Sequence, residues 1–234
     1  GAVTYNHGTY AIGTEKGAGR YFLGIMDDIR IYNRELSFSE VKALYHEKNP
    51  ISMLVPNKVP TDGLVAYYPF NGTANDYSGN ELHGVVYGAT LTADRFGNSD
   101  SAYSFDGLTN YIKIGDPIPP LLQIQNAISL SAWIYVPRNP YGDYGFIVGC
   151  QSDATMSGIT IMFSKTDTNA YTAPAGHVHF QIGDGSFHES DANAVIPMSQ
   201  WVHIVATRRA TQDAKSYHNA VLQSSGGAPW SGAV

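Results

Sequence analysis

Short runs in which apolar and polar residues alternate recur along most of the chain. The clearest run covers residues 127–136, where one face would hold Ile128, Leu130, Ala132, Ile134 and Val136. Similar alternation is found at residues 22–32, 158–164, 177–183 and 201–207. A period of two residues is typical of half-buried strands, and no strand–helix–strand rhythm interrupts these runs. The pattern predicts an all-β fold, an antiparallel two-sheet jelly-roll sandwich with one short helix.

The strongest helix signal follows the first long strand. Ser37 and Glu40 have the spacing of the N-cap and N3 residues of a capping box, and Leu36 and Val41 stand where a hydrophobic staple would lie. The sequence therefore predicts one short helix that starts after Ser37 and ends near Lys48.

Composition narrows the functional classes. The chain has 234 residues, 43% of them hydrophobic, and a net charge of −6. A nucleic-acid partner is not expected, because no basic cluster is present to contact phosphates. No apolar run reaches the length of a membrane span. Cys150 is the single cysteine, so no disulfide can form within the chain, and its apolar neighbours predict a small buried side chain.

Two stretches resemble a known family, and they come in an unexpected order. Residues 62–114 contain FNGTANDYSGN and RFGNSDSAYSFDG, and resemble the opening half of a laminin-G-like domain of the concanavalin A-like superfamily. Residues 24–45 contain DDIRIYNRELSFSE and resemble the closing half of the same domain. In the family the opening half comes first, whereas here the closing half precedes it. The predicted organisation is closing strands and helix at 1–48, a Pro-rich linker at 49–62, and the opening and middle parts at 63–234.

Three arrangements would explain this order: one period of a tandem array, a subunit that donates its first segment to a neighbour, or a circular permutant. The chain begins with Gly-Ala-Val and ends with the same three residues, which favours a repeat or a head-to-tail assembly over a lone permutant. An extended linker of about 14 residues could span up to ~45 Å, which permits closure within the chain or onto a neighbour.

The resemblance implies a calcium ion between the closing strand and the opening loop. Strand alternation would place Asp27 on one face with Ile25, Ile29 and Ile31, where a carboxylate needs a cation or several donors. The loop at residues 71–80 is rich in oxygen donors, which calcium prefers. The candidate ligands are Asp27, Asn71 and Asp76. Hydrogen bonds within turns are the alternative role for these residues.

Other side chains are candidates for contacting a ligand. Trp133 and Tyr135 lie opposite the predicted core face and could stack on sugars, although packing against loops is the alternative. His177 and His179 alternate along a strand and could present a polar or metal-binding face, although ordinary exposed strand positions are favoured.

Signals for catalysis are weak. The paired carboxylates of related glucanases are absent, and simple alternation would turn Asp27 and Asp28 to opposite faces. We therefore expect no enzymatic activity. The function predicted is an extracellular or cell-surface structural or adhesive module whose partners are copies of itself, assembled head to tail. The alternative is a carbohydrate-binding module that contacts glycans.

Overall fold

The computed structural model describes residues 9–15, 19–47, 59–137, 144–152, 157–164, 176–184, 187–191, 195–209 and 214–226. These residues form one α-helix, α1 Phe38–Tyr45, a 3-10 turn at Pro120–Leu122, and seventeen strands. The strands are β1 Tyr10–Ile12, β2 Thr14–Glu15, β3 Arg20–Tyr21, β4 Leu23–Tyr32, β5 Leu64–Tyr68, β6 Val85–Tyr87, β7 Thr90–Thr92, β8 Ala102–Asp106, β9 Tyr111–Gly115, β10 Ala127–Tyr135, β11 Tyr144–Ser152, β12 Ser157–Ser164, β13 Val178–Asp184, β14 Phe187–Asp191, β15 Trp201–Arg209, β16 Ala214–His218 and β17 Val221–Gly226.

Two large antiparallel sheets make the body of the domain. The seven-stranded sheet has the order β14-β13-β12-β11-β1-β9-β6. The eight-stranded sheet has the order β17-β16-β15-β10-β4-β8-β7, and β5 also pairs with β4. Strands β2 and β3 form a small separate ribbon. The predicted all-β antiparallel sandwich with one helix is confirmed.

The inner faces of the two sheets enclose one large hydrophobic core. Every apolar position predicted for the inner face of β10 is buried in it. The core also contains Tyr10, Ile12, Met26, Ile29, Ile31, Phe163, Phe180 and Ile204. Cys150 belongs to the same core, and its burial raises the pKa of the thiol to about 12. Its predicted role as a small apolar side chain agrees with this position.

Helix α1 covers part of the outer face of the eight-stranded sheet. The capping box is confirmed, since the Ser37 side chain accepts from the Glu40 N–H and the Glu40 carboxylate accepts from the Ser37 N–H. The helix ends at Tyr45, earlier than the predicted Lys48. The His46 N–H donates to the Lys42 carbonyl at 3.0 Å, and the Glu47 N–H donates to the Leu44 carbonyl at 3.3 Å, so the chain leaves the helix in a tighter last turn. A second apolar cluster holds the helix on the sheet: Tyr32, Leu36, Val41, Leu44, Val205, Tyr217 and Ala220.

The segment at the start of the chain lies inside both sheets of its own chain. Strand β4 pairs with β10 on one side and with β8 and β5 on the other. Strand β1 lies between β11 and β9. Residue 48, residues 49–58 of the predicted linker and the matching chain ends, residues 1–8 and 227–234, lie outside the described residues.

Candidate functional site

A bulge in β4 changes the direction of its acidic side chains. Ser131 of β10 pairs with Arg30, but Trp133 pairs with Asp27, so two residues of β4 stand opposite the single residue Ala132. Asp28, at the bulge, has a positive φ of 48°. A bulge of this kind adds one residue and shifts the alternation of faces. Asp27 therefore leaves the predicted face, and lies beside Trp133 on the outer face of the sheet.

One arginine neutralises both acids at the bulge. The Nη1 of Arg95 donates to Oδ2 of Asp27, and its Nη2 donates to Oδ2 of Asp28 at 2.7 Å. The two carboxylates are almost inaccessible, with exposed fractions of 1% for Asp27 and 0% for Asp28. The expectation that simple alternation separates Asp27 from Asp28 is thus wrong, because the bulge turns both toward the same guanidinium.

A second arginine extends this charge cluster toward the end of α1. Arg30 donates to Glu47 at 2.6 Å, lies 3.8 Å from a carboxylate oxygen of Asp28, and covers the ring of Tyr67 at 3.9 Å. Burial opposes the charge on Arg30, but Asp28, Tyr67 and Glu47 together raise its pKa. The Tyr67 hydroxyl completes the network by donating to Asp28 at 2.8 Å.

The loop between β7 and β8 holds Arg95 in place. Asp94 accepts from the N–H groups of Phe96 and Asn98 and from the side-chain amide of Asn98, all within 2.9 Å. The Arg95 guanidinium lies between the rings of Phe96 and Trp133, at 4.6 and 4.5 Å from their centroids. Arg95 is not among the candidate residues identified from the sequence. The available signal is Asp94, which precedes RFGN in a turn-rich stretch, because an aspartate in such a stretch often accepts hydrogen bonds from the backbone of its own loop.

The predicted calcium ligands have other roles in the described structure. The carboxylate of Asp76 accepts from the N–H of Tyr67, from the N–H and hydroxyl of Ser78, and from the N–H of Leu82. The cation beside Asp27 is a guanidinium, and Asn71 is exposed. Among the described residues no three His, Cys, Asp or Glu side chains form a group that could hold a metal ion. Calcium binding stays a prediction of the sequence alone.

Trp133 is part of an internal stack and is closed to ligands. Its ring stacks on Tyr45 of α1 at 5.6 Å between centroids and lies 5.1 Å from the ring of His203. With Arg95 above it, its exposed fraction is 8%. The packing alternative for Trp133 is therefore what the structure shows.

Ser131 and His203 are in contact as a catalytic nucleophile and its base would be, but a substrate cannot reach them. The Ser131 hydroxyl lies 2.9 Å from Nε2 of His203, while both residues are buried within the sheet and its cover. Burial, followed by the charges of Arg30 and Arg95, lowers the pKa of His203 to about 3. A base with so low a pKa is a poor proton acceptor near neutral pH, so the pair is structural.

The buried histidines predict a loss of stability in mild acid. Burial lowers the pKa of His203 to about 3, and burial together with His177 lowers that of His218 to about 4. Their contribution is complete above pH 6.5, the ordinary value for histidine, and falls as pH drops toward the lowered values, because the unfolded chain then binds more protons. We expect His203→Gln to reduce the slope of stability against pH by up to about 1.4 kcal/mol per pH unit between pH 6 and 4.

Urea melts across this pH range measure that slope. His46→Gln, at the half-exposed end of α1, is the matched control. An unchanged slope in His203→Gln would show that His203 does not resist protonation in the folded protein.

Tyr135 is the accessible member of the predicted ligand-binding set. It lies on the outer face of the eight-stranded sheet, between Ile25 of β4 and Trp201 of β15. The rings of Tyr135 and Trp201 are 5.9 Å apart and inclined at 58°. All three side chains are half-buried and none lies beneath α1. We call Ile25, Tyr135 and Trp201 the aromatic row.

His177 and His179 do not present a polar face to solvent. Their exposed fractions are 8% and 2%, and the alternating residues Val178 and Phe180 belong to the core. Both faces of this strand are therefore covered, which alternation alone could not predict. Among the described residues, no helix has the length and apolar character of a membrane span.

Comparison with known proteins agrees with the fold. The family model of the concanavalin A-like lectin/glucanases superfamily matches residues 105–232, more than half of the chain. The match begins in β8, overlaps the end of the resembling opening half at residues 105–114, and otherwise covers the middle strands. Neither curated proteins nor solved structures give a significant match. The chain belongs to the laminin-G-like family of the concanavalin A-like lectin/glucanase superfamily.

Proposed function

We propose that this domain is a non-catalytic carbohydrate-binding module that holds a glycan on the aromatic row. The family supports a carbohydrate-binding or adhesive role in general. The observation that carries the finer proposal is the accessible pair Tyr135 and Trp201, placed next to each other on paired strands with their rings 5.9 Å apart.

The geometry of the row suits a sugar ring. Pyranose rings have apolar faces that stack on aromatic side chains, and rings inclined at 58° form a corner that contacts a face and an edge of the ligand. The row lies on three adjacent paired strands, at the end of the sheet where β10 finishes and β15 begins, and the pairing fixes the spacing of the three side chains before a ligand arrives. Ile25 extends the apolar surface on the third strand.

The acidic residues support a non-catalytic role. Glycoside hydrolysis requires two carboxyl groups on either side of the scissile bond, with space for the sugar or water between them. Asp27 and Asp28 are instead buried and share Arg95. The Ser131–His203 pair is equally inaccessible.

The test is a glycan array followed by calorimetric titration with the best ligand. We expect Tyr135→Ala and Trp201→Ala each to weaken binding by several-fold, up to about tenfold, since an aromatic stacking contact contributes about 0.5–1.5 kcal/mol. Tyr77→Ala is the matched control, because Tyr77 is a 58% exposed tyrosine on the opening loop. Equal affinity of all three variants, or no ligand on a broad array, contradicts the proposal.

We also propose that the domain is extracellular and that copies of it assemble head to tail. Laminin-G-like domains are typically extracellular, which supports that location. The support for assembly is the order of the segments in the sequence, with the closing half before the opening half. Because β4 fills the position between β10 and β8 of its own chain, we favour glycan binding over strand exchange as the primary function.

A further inference from the structure

A cleft of about 420 Å³ opens between the start of α1 and strands β15 and β16. It is separate from the aromatic row and from the buried charge cluster. The lining residues that bear on ligand binding are Arg34, Glu35, Phe38, Arg209, Lys215 and Tyr217. Its volume lies within the range of about 300–1,000 Å³ that is typical of sites for small ligands.

The cleft carries one cation, Arg209, that no side chain in the described part of the chain neutralises. Arg34 is bound by Glu40 through two hydrogen bonds, at 2.5 and 3.1 Å, and Lys215 is bound by Glu35 at 2.7 Å. Arg209 is exposed and forms no ion pair with any residue that the structure describes. The chain as a whole is acidic, with a net charge of −6, so this positive site is a local feature.

An aromatic wall lies beside these charges. The ring of Phe38 stacks on Tyr217, with centroids 6.0 Å apart and planes at 22°. The ammonium of Lys42 lies 4.4 Å from the Phe38 ring centroid, which adds positive charge above the wall. Phe38 is 47% exposed despite both contacts, so the rim of the wall is open to a ligand.

We propose that this cleft binds an acidic saccharide, with a uronate carboxylate on Arg209 and the sugar ring against the wall formed by Phe38 and Tyr217. A guanidinium binds a carboxylate through two parallel hydrogen bonds, which gives orientation as well as affinity. The choice of a saccharide rather than an acidic peptide rests on the proposed glycan-binding function, whereas the anion site itself rests on the charges of the cleft.

The test is a calorimetric titration with trigalacturonate, using its methyl ester as a ligand of the same shape without charge. We expect trigalacturonate to bind more tightly than the ester and to lose affinity as sodium chloride is raised from 50 to 300 mM. Arg209→Ala is expected to weaken binding about tenfold or more, and Arg209→Lys to restore part of the loss. Lys113→Ala, which removes a positive charge from the other sheet, should leave binding unchanged.

Two further measurements separate this proposal from the aromatic row. Tyr135→Ala should not affect trigalacturonate, and a hexaglutamate peptide should bind at least tenfold more weakly. Equal binding of acid and ester, retention of affinity in Arg209→Ala, tighter binding of the peptide, or no binding at millimolar trigalacturonate each overturns the proposal. None of these outcomes bears on whether neutral glycans bind at Tyr135 and Trp201.

Discussion

Removal of residues 1–47 is expected to abolish folding of the remaining chain. The deletion takes β4 from the middle of the eight-stranded sheet and β1 from the interior of the seven-stranded sheet. It also removes Met26, Ile29 and Ile31 from the core, and each such side chain contributes about 2–5 kcal/mol when truncated to alanine. These three side chains alone account for about 6–15 kcal/mol, which is as large as the 5–15 kcal/mol by which domains are typically stable. Far-UV circular dichroism during heating should show no cooperative transition in the fragment 48–234.

Co-expression of residues 1–47 with this fragment is the control. Because β4 and β1 are held by sheet pairing and core contacts, the two pieces should associate and recover the cooperative transition. A fragment that unfolds cooperatively at the temperature of the whole chain would show that residues 1–47 are not part of the folded core. If intact chains instead form dimers or longer species at high concentration, exchange of this segment between chains gains support.

Replacement of Arg95 by alanine is expected to lower the free energy of unfolding by about 3–5 kcal/mol. The substitution removes the guanidinium that bonds both Asp27 and Asp28, so the cost of burying two adjacent carboxylates is less well compensated, although Arg30 and the Tyr67 hydroxyl still contact Asp28. It also removes the cation that covers the ring of Trp133. Chemical denaturation at pH 7 measures the change.

Lys215→Ala is the matched control for an ion pair near the surface. Lys215 is bonded to Glu35 at 2.7 Å, but its side chain is 39% exposed, so the loss should stay within about 1 kcal/mol. Addition of Asp27→Asn and Asp28→Asn to Arg95→Ala should recover part of the stability, because it removes the buried negative charges that Arg95 neutralised. Equal losses in Arg95→Ala and Lys215→Ala would mean that the buried cluster is not held by charge.

The bulge at Asp28 explains why the predicted face of Asp27 was wrong. A regular strand would place Asp27 with Ile29 and Ile31, and the search for a cation to offset it then leads to calcium. The extra residue turns Asp27 to the outer face, and the cation that meets it is Arg95, 68 positions away in the sequence. No local pattern in DDIRIY distinguishes the bulged strand from a regular one.

The sequence also did not predict which of the candidate ligand-binding residues are exposed to solvent. Trp133 and Tyr135 occupy equivalent alternating positions on β10, but α1 covers the first and leaves the second open. His177 and His179 alternate as surface residues would, yet both are buried. Alternation identifies the two faces of a strand, whereas exposure depends on what other elements are packed on them.

The sequence by itself determined the strands, the antiparallel sandwich, the family and the cap of α1. The strands and the helix cap follow from patterns within two to four residues along the chain: side-chain alternation in strands, and the Ser37–Glu40 pair at the helix start. The family follows from the motifs in residues 24–45 and 62–114. Only the tertiary structure decided the bulge, the Arg95 clamp, the open aromatic row and the basic cleft beside α1. Each of these depends on the pairing register and on residues distant in sequence, where small shifts in packing determine which side chains meet.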